Sequence, residues 1–238
     1  MSILEVKNLC KSYKGFDLNN VSFDIPEGTI MGLIGENGAG KSTIINIITN
    51  AVHKDSGTVK LFGVDLENCN SDIWNSIAVV QADCGFPEEL TIKNAESVLK
   101  GIYKNWDSGK FESYINKLGL DFKKKIKSLS TGMKMKLELA IALSHSAKFL
   151  ILDEATNGLD FMARNEILDI LMDFIQDENC GVLLSSHMIE DLEHICDFIT
   201  FIHNGNVVFS ENKDDLLDKY AIINIDENKL SELDSKAV

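Results

Sequence analysis

The chain has 238 residues, 45% of them hydrophobic, and a formal net charge of −14. This length suits one α/β domain with a subdomain, and the apolar runs are far shorter than the roughly 20 residues that cross a bilayer. The negative charge and the single arginine, Arg164, argue against nucleic acid as the main partner. The five scattered cysteines form no CxxC pair, and no basic segment leads into an apolar stretch at the start, so we expect reduced thiols and an intracellular protein.

The order of hydrophobic runs predicts an α/β fold. Short β-type runs predict an N-terminal antiparallel sheet at residues 2–9, 21–25 and 58–61. Buried-strand runs separated by helix-length segments predict a parallel core at residues 29–34, 77–80, 148–152 and 181–185. Helical patterning between residues 87 and 128 predicts an all-helical insert, and Asn204-Gly205 predicts the turn of a final hairpin. We expect one domain over residues 1–225, with a helical subdomain at about 87–146 and a polar acidic tail at 226–238.

The segment at residues 35–42, called the phosphate loop below, reads GENGAGKS and matches the pattern GxxxxGK[ST]. It lies between an apolar strand and an apolar helix, which is the context that this pattern requires. Its glycines Gly35, Gly38 and Gly40 let backbone N–H groups turn toward an anion at a helix N-terminus. Lys41 would reach the β- and γ-phosphates, and the Ser42 hydroxyl would bind Mg²⁺. The alternative is an ordinary glycine turn before a helix.

Two acidic residues, Asp153 and Glu154, follow the apolar run at residues 149–152. The carboxyl edge of a parallel sheet is where such sheets bind ligands. Phosphoryl transfer needs an acid that positions the metal and a group that orients water, and we assign these roles to Asp153 and Glu154, respectively. Without the phosphate loop, the same pair would be ordinary capping or solvated residues.

A second helix N-terminus that could bind an anion is formed by Ser130 and Gly132, within the run KSLSTGM at residues 127–133. Taken alone, this run predicts only a helix with a serine cap. Lysines gather around it and form either a solvated helical face or a phosphate-facing patch; they are Lys123, Lys124, Lys125, Lys127, Lys134 and Lys136.

Together these motifs resemble the nucleotide-binding domain of ATP-binding cassette (ABC) transporters, from about residue 4 to residue 210. The family's Walker A loop, signature motif and Walker B strand appear in order at residues 35–43, 129–133 and 150–154. Tyr13, Gln81 and His187 match the family's adenine-stacking aromatic, Q-loop and switch histidine, and residues 157–160 match its D-loop. The resemblance implies a P-loop NTPase parallel-sheet core with an antiparallel β N-terminal subdomain and an inserted α-helical subdomain.

The resemblance also implies roles for individual residues. ATP would be bound by Tyr13, Gly35, Asn37, Gly38, Ala39, Gly40, Lys41, Ser42 and Thr43, with Ser130 and Gly132 acting in trans from a second subunit. Mg²⁺ would be bound by Ser42, Gln81 and Asp153, and catalysis would use Glu154, His187, Gln81 and Lys41. Residue by residue, Tyr13 could instead be a surface aromatic, Gln81 an ordinary polar residue at a strand end, and His187 a buried imidazole.

The chain departs from the family pattern at a few positions. The usual signature LSGGQ is here LSTGM, with Thr131 and Met133, while Ser130 and Gly132 are retained. In the D-loop, Asn157 stands where serine is commoner, and Phe161 follows where proline is frequent. These departures concern contacts between subunits rather than the core hydrolysis chemistry.

The function implied by the resemblance is an ATPase that drives transport with ATP and Mg²⁺. Two ABC ATPase subunits, identical or different, would dimerise head to tail and dock on a separate transmembrane permease at the cytoplasmic face of the cell membrane. Short length and the LSTGM signature are most similar to the ATPase subunits of exporters of drugs, peptides or lipids. The alternative is a soluble ABC ATPase such as one in cluster assembly. A catalytically dead nucleotide sensor would be expected to lose Glu154 or His187, and both are present.

Overall fold

The computed structural model describes residues 1–81, 85–187 and 189–219, with the side chains of residues 189–191 excepted. Cys84, the expected domain end at residue 225 and the expected acidic tail at 226–238 lie outside the described residues. The other four cysteines, Cys10, Cys69, Cys180 and Cys196, are free thiols.

The N-terminal sheet is antiparallel, as predicted, and has the strand order β2-β1-β4-β5. Its strands are β1 (Ser2–Tyr13), β2 (Phe16–Pro26), β4 (Ser56–Leu61) and β5 (Val64–Asp65). In β2, Val21, Phe23 and Ile25 are buried and alternate with exposed residues, because successive side chains of a strand point to opposite faces. Strand β1 runs past the predicted end at residue 9, with irregular pairing to β2 around Leu9 that interrupts the alternation.

The central sheet has six strands in the order β10-β9-β3-β8-β7-β6. They are β3 (Thr29–Ile34), β6 (Ile77–Gln81), β7 (Phe149–Asp153), β8 (Gly181–Ser186), β9 (Phe198–His203) and β10 (Asn206–Asn212). Strands β3, β6, β7, β8 and β9 pair in parallel, and β10 pairs antiparallel with β9. The β9–β10 turn is the predicted Asn204-Gly205 pair, and both residues have positive φ, 47° and 72°, as a tight hairpin turn requires.

Three longer helices lie between β6 and β7, which confirms the inserted helical subdomain as part of the fold: α3 (Ile92–Ile102), α4 (Ser108–Lys117) and α5 (Thr131–Ser144). The side chains of Thr91, Asp107 and Ser130 cap the N-termini of these three helices. The remaining helices are α1 (Lys41–Ile48), α2 (Ser71–Trp74), α6 (Phe161–Phe174), α7 (Ile189–Ile195) and α8 (Lys213–Lys219). Within the described part of the chain, no helix combines the length and apolar character needed to cross a membrane.

The central sheet separates two hydrophobic clusters. One contains the buried isoleucines of α1, together with Phe149, Ile151 and Leu183, and lies on the side of the N-terminal sheet. The other contains Leu150 and Leu152 and packs α3 to α6 against the opposite face. Because the strands are covered on both faces, β7 is an unbroken apolar run, and its polar residues come only at the carboxyl end. The phosphate loop follows β3, while Asp153 ends β7 and Gln81 ends β6. Since these strands are parallel, all three features lie at the same edge of the sheet.

Candidate functional site

The phosphate loop connects β3 to α1 through a conformation that depends on glycine. Gly38 and Gly40 have φ of 84° and 117°, in the left-handed region that side chains disfavour. A Cβ atom on Gly35 would lie 2.5 Å from the carbonyl oxygen of Ile202. Gly40 supplies no capping side chain to α1, and the first turn of this helix holds no acidic residue. The start of α1 thus presents backbone N–H groups to an anion.

Lys41 is buried beneath this loop, with only 4% of its side chain exposed. Its Nζ donates hydrogen bonds to the carbonyl oxygens of Gly35 (2.7 Å) and Glu36 (3.2 Å). The same Nζ lies 3.4 Å from Oε1 of Glu154, whose side chain is 36% exposed. A cation and a carboxylate from two distant segments therefore meet at the loop.

The two acidic residues at the carboxyl end of β7 are held by Ser185, a buried residue of the neighbouring strand β8. The Ser185 hydroxyl donates to Oδ1 of Asp153 (2.6 Å) and accepts a hydrogen bond from the backbone N–H of Glu154 (2.9 Å). Glu154 has a positive φ of 50°, which costs about 1–2 kcal/mol for a residue with a side chain. The strand register places Gln81, at the end of β6, directly beside Asp153. The candidate site thus includes a residue with a strained backbone, Glu154.

Asn157 connects Glu154 to His187. Its Nδ2 donates to Oε2 of Glu154 (2.9 Å) and lies 3.3 Å from Nδ1 of His187. His187 is exposed, so it is not the buried imidazole that the sequence also allowed. Lys41, Glu154, Asn157 and His187 form one continuous chain of contacts.

A cavity of about 550 Å³ opens beside the phosphate loop. Of the predicted residues, those that line it are Asn37, Gly38, Gly40, Lys41, Ser42, Thr43 and Glu154. Its remaining wall comes from Gly15 and Phe16, at the β1–β2 turn. Gly35 and Ala39, also residues of the phosphate loop, are buried and do not line the cavity. Tyr13 does not line the cavity; it is 44% exposed, with Nζ of Lys11 5.5 Å from its ring centroid.

Ser130 and Gly132 lie apart from this cavity, at the start of α5. The Ser130 hydroxyl accepts a hydrogen bond from the backbone N–H of Met133 (3.3 Å) and so caps its own helix. Gly132 faces α6, where an added Cβ atom would lie 3.2 Å from Cβ of Ala163. Within one chain, the structure does not bring these two residues to the phosphate loop.

Three of the lysines near Ser130 are paired with carboxylates of the same chain. Lys125 and Lys127 contact Glu89 at 2.8 and 2.6 Å, and Lys136 contacts Glu166. The hydrogen bonds from Lys125 and Lys127 lower the pKa of Glu89 to about 2. The same pairing raises the pKa of Lys127. These contacts favour solvated lysines over a phosphate-facing patch. The expected helical face is wrong for Lys125 and Lys127, because both lie in the segment between α4 and α5 and not on an α-helix.

Sequence reasoning missed the parts played by Ser185 and Phe16, and it treated Asn157 only as a departure from a family pattern. Ser185 could have been found, because it is a polar residue near the end of an otherwise apolar strand that neighbours Asp153. Phe16 carries no such signal, since its place at the cavity depends on how the β1–β2 turn packs on the loop.

A parallel sheet with a glycine-rich phosphate loop before α1, and with acidic residues at the carboxyl end of another of its strands, defines a P-loop nucleotide-binding protein. The family model described as ABC transporter matches residues 18–157, which is more than half of the chain, and the chain therefore belongs to this family as an ATP-binding subunit. The ATP-binding domains of the family are generally ATPases.

Named relatives extend this result over most of the chain. The lantibiotic transport ATP-binding protein SrtF of Streptococcus pyogenes is 37% identical over 219 residues, which cover 89% of this chain and 92% of that protein. The bacitracin transport ATP-binding protein BcrA of Enterococcus faecalis is 29% identical over 235 residues, which cover 96% and 76%. A solved structure described as the ATP-binding subunit of an ABC transporter superposes with a TM-score of 0.82 at 27% identity, covering 91% and 92% of the two chains.

Proposed function

We propose that this chain hydrolyses ATP as a dimer, and that it thereby powers export of a substrate through a separate membrane permease. The observation that carries the proposal is the shared cavity of the phosphate loop and Glu154. This arrangement places a phosphate-binding lysine, a helix N-terminus and a carboxylate around one space, as phosphoryl transfer to water requires.

The residues at this edge of the sheet fit a magnesium ion. Ser42, Asp153 and Gln81 offer a hydroxyl, a carboxylate and an amide oxygen, and Mg²⁺ prefers such oxygen ligands. Ser42 lines the cavity, and Gln81 lies beside Asp153 in the sheet. When bound with ATP, the ion would offset phosphate charge.

The chain's own residues supply the rest of the proposed chemistry. Lys41 exchanges its contact with Glu154 for the β- and γ-phosphates, which frees the carboxylate to orient water and accept its proton. His187 would contact the γ-phosphate. The starting ion pair means that Lys41 and Glu154 are held ready at the loop before nucleotide arrives.

Dimerisation is proposed because two of the residues expected to bind the nucleotide are absent from the cavity. Ser130 and Gly132 lie outside it, at a helix N-terminus that suits a phosphate group. A second ABC ATPase subunit, arranged head to tail, would bring its own Ser130 and Gly132, or their equivalents, to the γ-phosphate.

The permease contact is proposed at a groove of about 350 Å³ between the central sheet and the helical insert. Trp74, Val79 and Phe86 give it apolar walls, which suit a short helix of a membrane partner. This contact would hold the chain at the cytoplasmic face of the membrane. The relatives named for lantibiotic and bacitracin transport support a drug or peptide as the substrate.

The hydrolysis proposal is tested by Glu154→Gln in the purified protein. We expect turnover to fall by about 10²- to 10⁴-fold, because the carboxylate that accepts the proton is lost. The variant should still bind ATP and accumulate as an ATP-bound dimer, measured by size-exclusion chromatography with and without ATP. The matched control is Glu112→Gln, which changes an exposed residue of α4 and should hydrolyse ATP at the wild-type rate. Wild-type turnover in Glu154→Gln would refute the assignment of Glu154.

The transport proposal is tested by cell fractionation with and without the co-expressed permease. We expect the chain in the membrane fraction only when the permease is present. A protein that stays wholly soluble in its presence would refute the transporter assignment and support the cluster-assembly alternative.

A further inference from the structure

Asn157 lies between the two residues to which we assign the catalytic water and the γ-phosphate. Its side-chain amide nitrogen contacts Oε2 of Glu154 and Nδ1 of His187, at 2.9 and 3.3 Å. The backbone N–H of Asn157 also donates to the carbonyl oxygen of Glu154 (3.1 Å). Asn157 is therefore tied to Glu154 by one side-chain and one backbone hydrogen bond, and its side chain reaches His187 from there.

The orientation of the Asn157 amide follows from its contact with Glu154. An ionised carboxylate only accepts hydrogen bonds, so the amide NH₂ group must face it. The opposite orientation would place the amide oxygen against a carboxylate oxygen. The observed orientation leaves Oδ1 of Asn157 buried without a hydrogen-bond partner, which indicates that the two contacts of Nδ2 determine it.

This orientation determines which ring nitrogen of neutral His187 carries the proton. The NH₂ group has two hydrogens, one for Glu154 and one directed toward His187. Because a donor faces Nδ1, that nitrogen must be the acceptor, and the proton of the neutral ring must be on Nε2. A hydrogen on Nε2 is what the ring needs in order to donate to a phosphate oxygen.

We propose that Asn157 is a positioning residue that holds His187 in its Nε2–H tautomer and fixes the Glu154 carboxylate beside Lys41. The role in turnover rests on the ATPase function proposed above. Lys41 contacts one oxygen of this carboxylate and Asn157 the other, so both oxygens have a fixed partner before nucleotide binds. A serine hydroxyl at this position would be one atom shorter and would carry a single hydrogen, so it could not donate to both residues.

The tautomer is tested directly by nitrogen NMR of protein labelled with ¹⁵N-histidine, at about pH 8, where an ordinary imidazole is neutral. The His187 signal is assigned by its loss in His187→Gln. We expect wild-type Nδ1 to be unprotonated. Asn157→Asp keeps the size of the side chain but makes it an acceptor, so Nδ1 should become protonated. Asn157→Leu removes both contacts and should give a mixture of the two tautomers.

Steady-state kinetics then measures the role in turnover. We expect Asn157→Leu to lower kcat about tenfold, as loss of one positioning hydrogen bond does, with little change in KM for ATP. Asn116→Leu is the matched control, because Asn116 is exposed on α4 and contacts none of these residues through its side chain. Thermal unfolding of each variant shows whether the fold is retained.

A protonated Nδ1 in the wild-type protein would overturn the proposal, and so would an unchanged tautomer and kcat in Asn157→Leu. If the wild-type protein hydrolysed no ATP, the proposed function would fail, while the NMR result would still decide the tautomer.

Discussion

The starts of α1 and α5 are two glycine-containing helix N-termini that the chain equips differently. At α1 no side chain caps the helix, and Lys41 and Glu154 line the adjoining cavity. At α5 the Ser130 hydroxyl accepts a hydrogen bond from its own helix, and the nearby Lys125 and Lys127 are paired with Glu89. We propose that the first terminus binds phosphates within one chain. The start of α5 offers an anion only a few backbone N–H groups and the hydrogen of the Ser130 hydroxyl.

We infer from this difference that the two motifs have separable roles. If the start of α1 binds nucleotide alone and the start of α5 acts on the nucleotide of another subunit, then changes at α1 should abolish binding. Changes at α5 should leave binding intact and reduce turnover.

Lys41→Ala should abolish tight nucleotide binding by the single chain. The substitution removes the buried ammonium group and leaves the carbonyl oxygens of Gly35 and Glu36 without this donor. A hydrogen bond from a charged group contributes about 1.5–3 kcal/mol, so losing the contact of this ammonium group with the phosphates should lower the affinity for ATP roughly ten- to a hundredfold. Isothermal titration calorimetry with ATP measures it. Lys110→Ala, at an exposed lysine of α4, is the control and should bind ATP like the wild type. Equal affinity of Lys41→Ala and the wild type would show that the start of α1 does not bind the phosphates.

The sequence predicted the phosphate loop well because its constraints are local. Gly38 and Gly40 need positive φ, Lys41 follows at a fixed spacing, and the flanking apolar runs specify a strand and a helix. The same holds for the Asn204-Gly205 turn and for β7, whose apolar run reflects burial on both faces.

What the sequence could not specify are contacts between segments far apart in the chain. Ser185 holds Asp153 and Glu154 only because β8 lies beside β7, and Asn157 reaches His187 across 30 positions of sequence. The lysines around Ser130 suit either a solvated surface or a phosphate patch, and the pairing of Lys125 and Lys127 with Glu89 depends on the fold of the insert. Such packing is set by tertiary structure, which local patterns do not encode.

Ser130→Asp should leave nucleotide binding by the single chain unchanged and reduce turnover. Aspartate caps a helix as well as serine does, so α5 should keep its start. The added negative charge would lie where a partner's γ-phosphate is expected. At an effective dielectric constant of about 20, repulsion between two such neighbouring charges exceeds about 1.4 kcal/mol, which corresponds to about a tenfold change in rate. We therefore expect turnover to fall at least about tenfold and ATP-dependent dimerisation, measured by size-exclusion chromatography, to weaken.

The matched variant for this change is Ser130→Asn, which also caps the helix and has nearly the same size as aspartate but no charge. If repulsion is the cause, Ser130→Asn should retain more turnover than Ser130→Asp, and both should unfold at similar temperatures. Equal turnover in the two variants would exclude charge repulsion as the cause of the reduced turnover. Weakened ATP binding in the single Ser130→Asp chain would place Ser130 in the same site as Lys41, and the separation of the two helix N-termini would then be wrong.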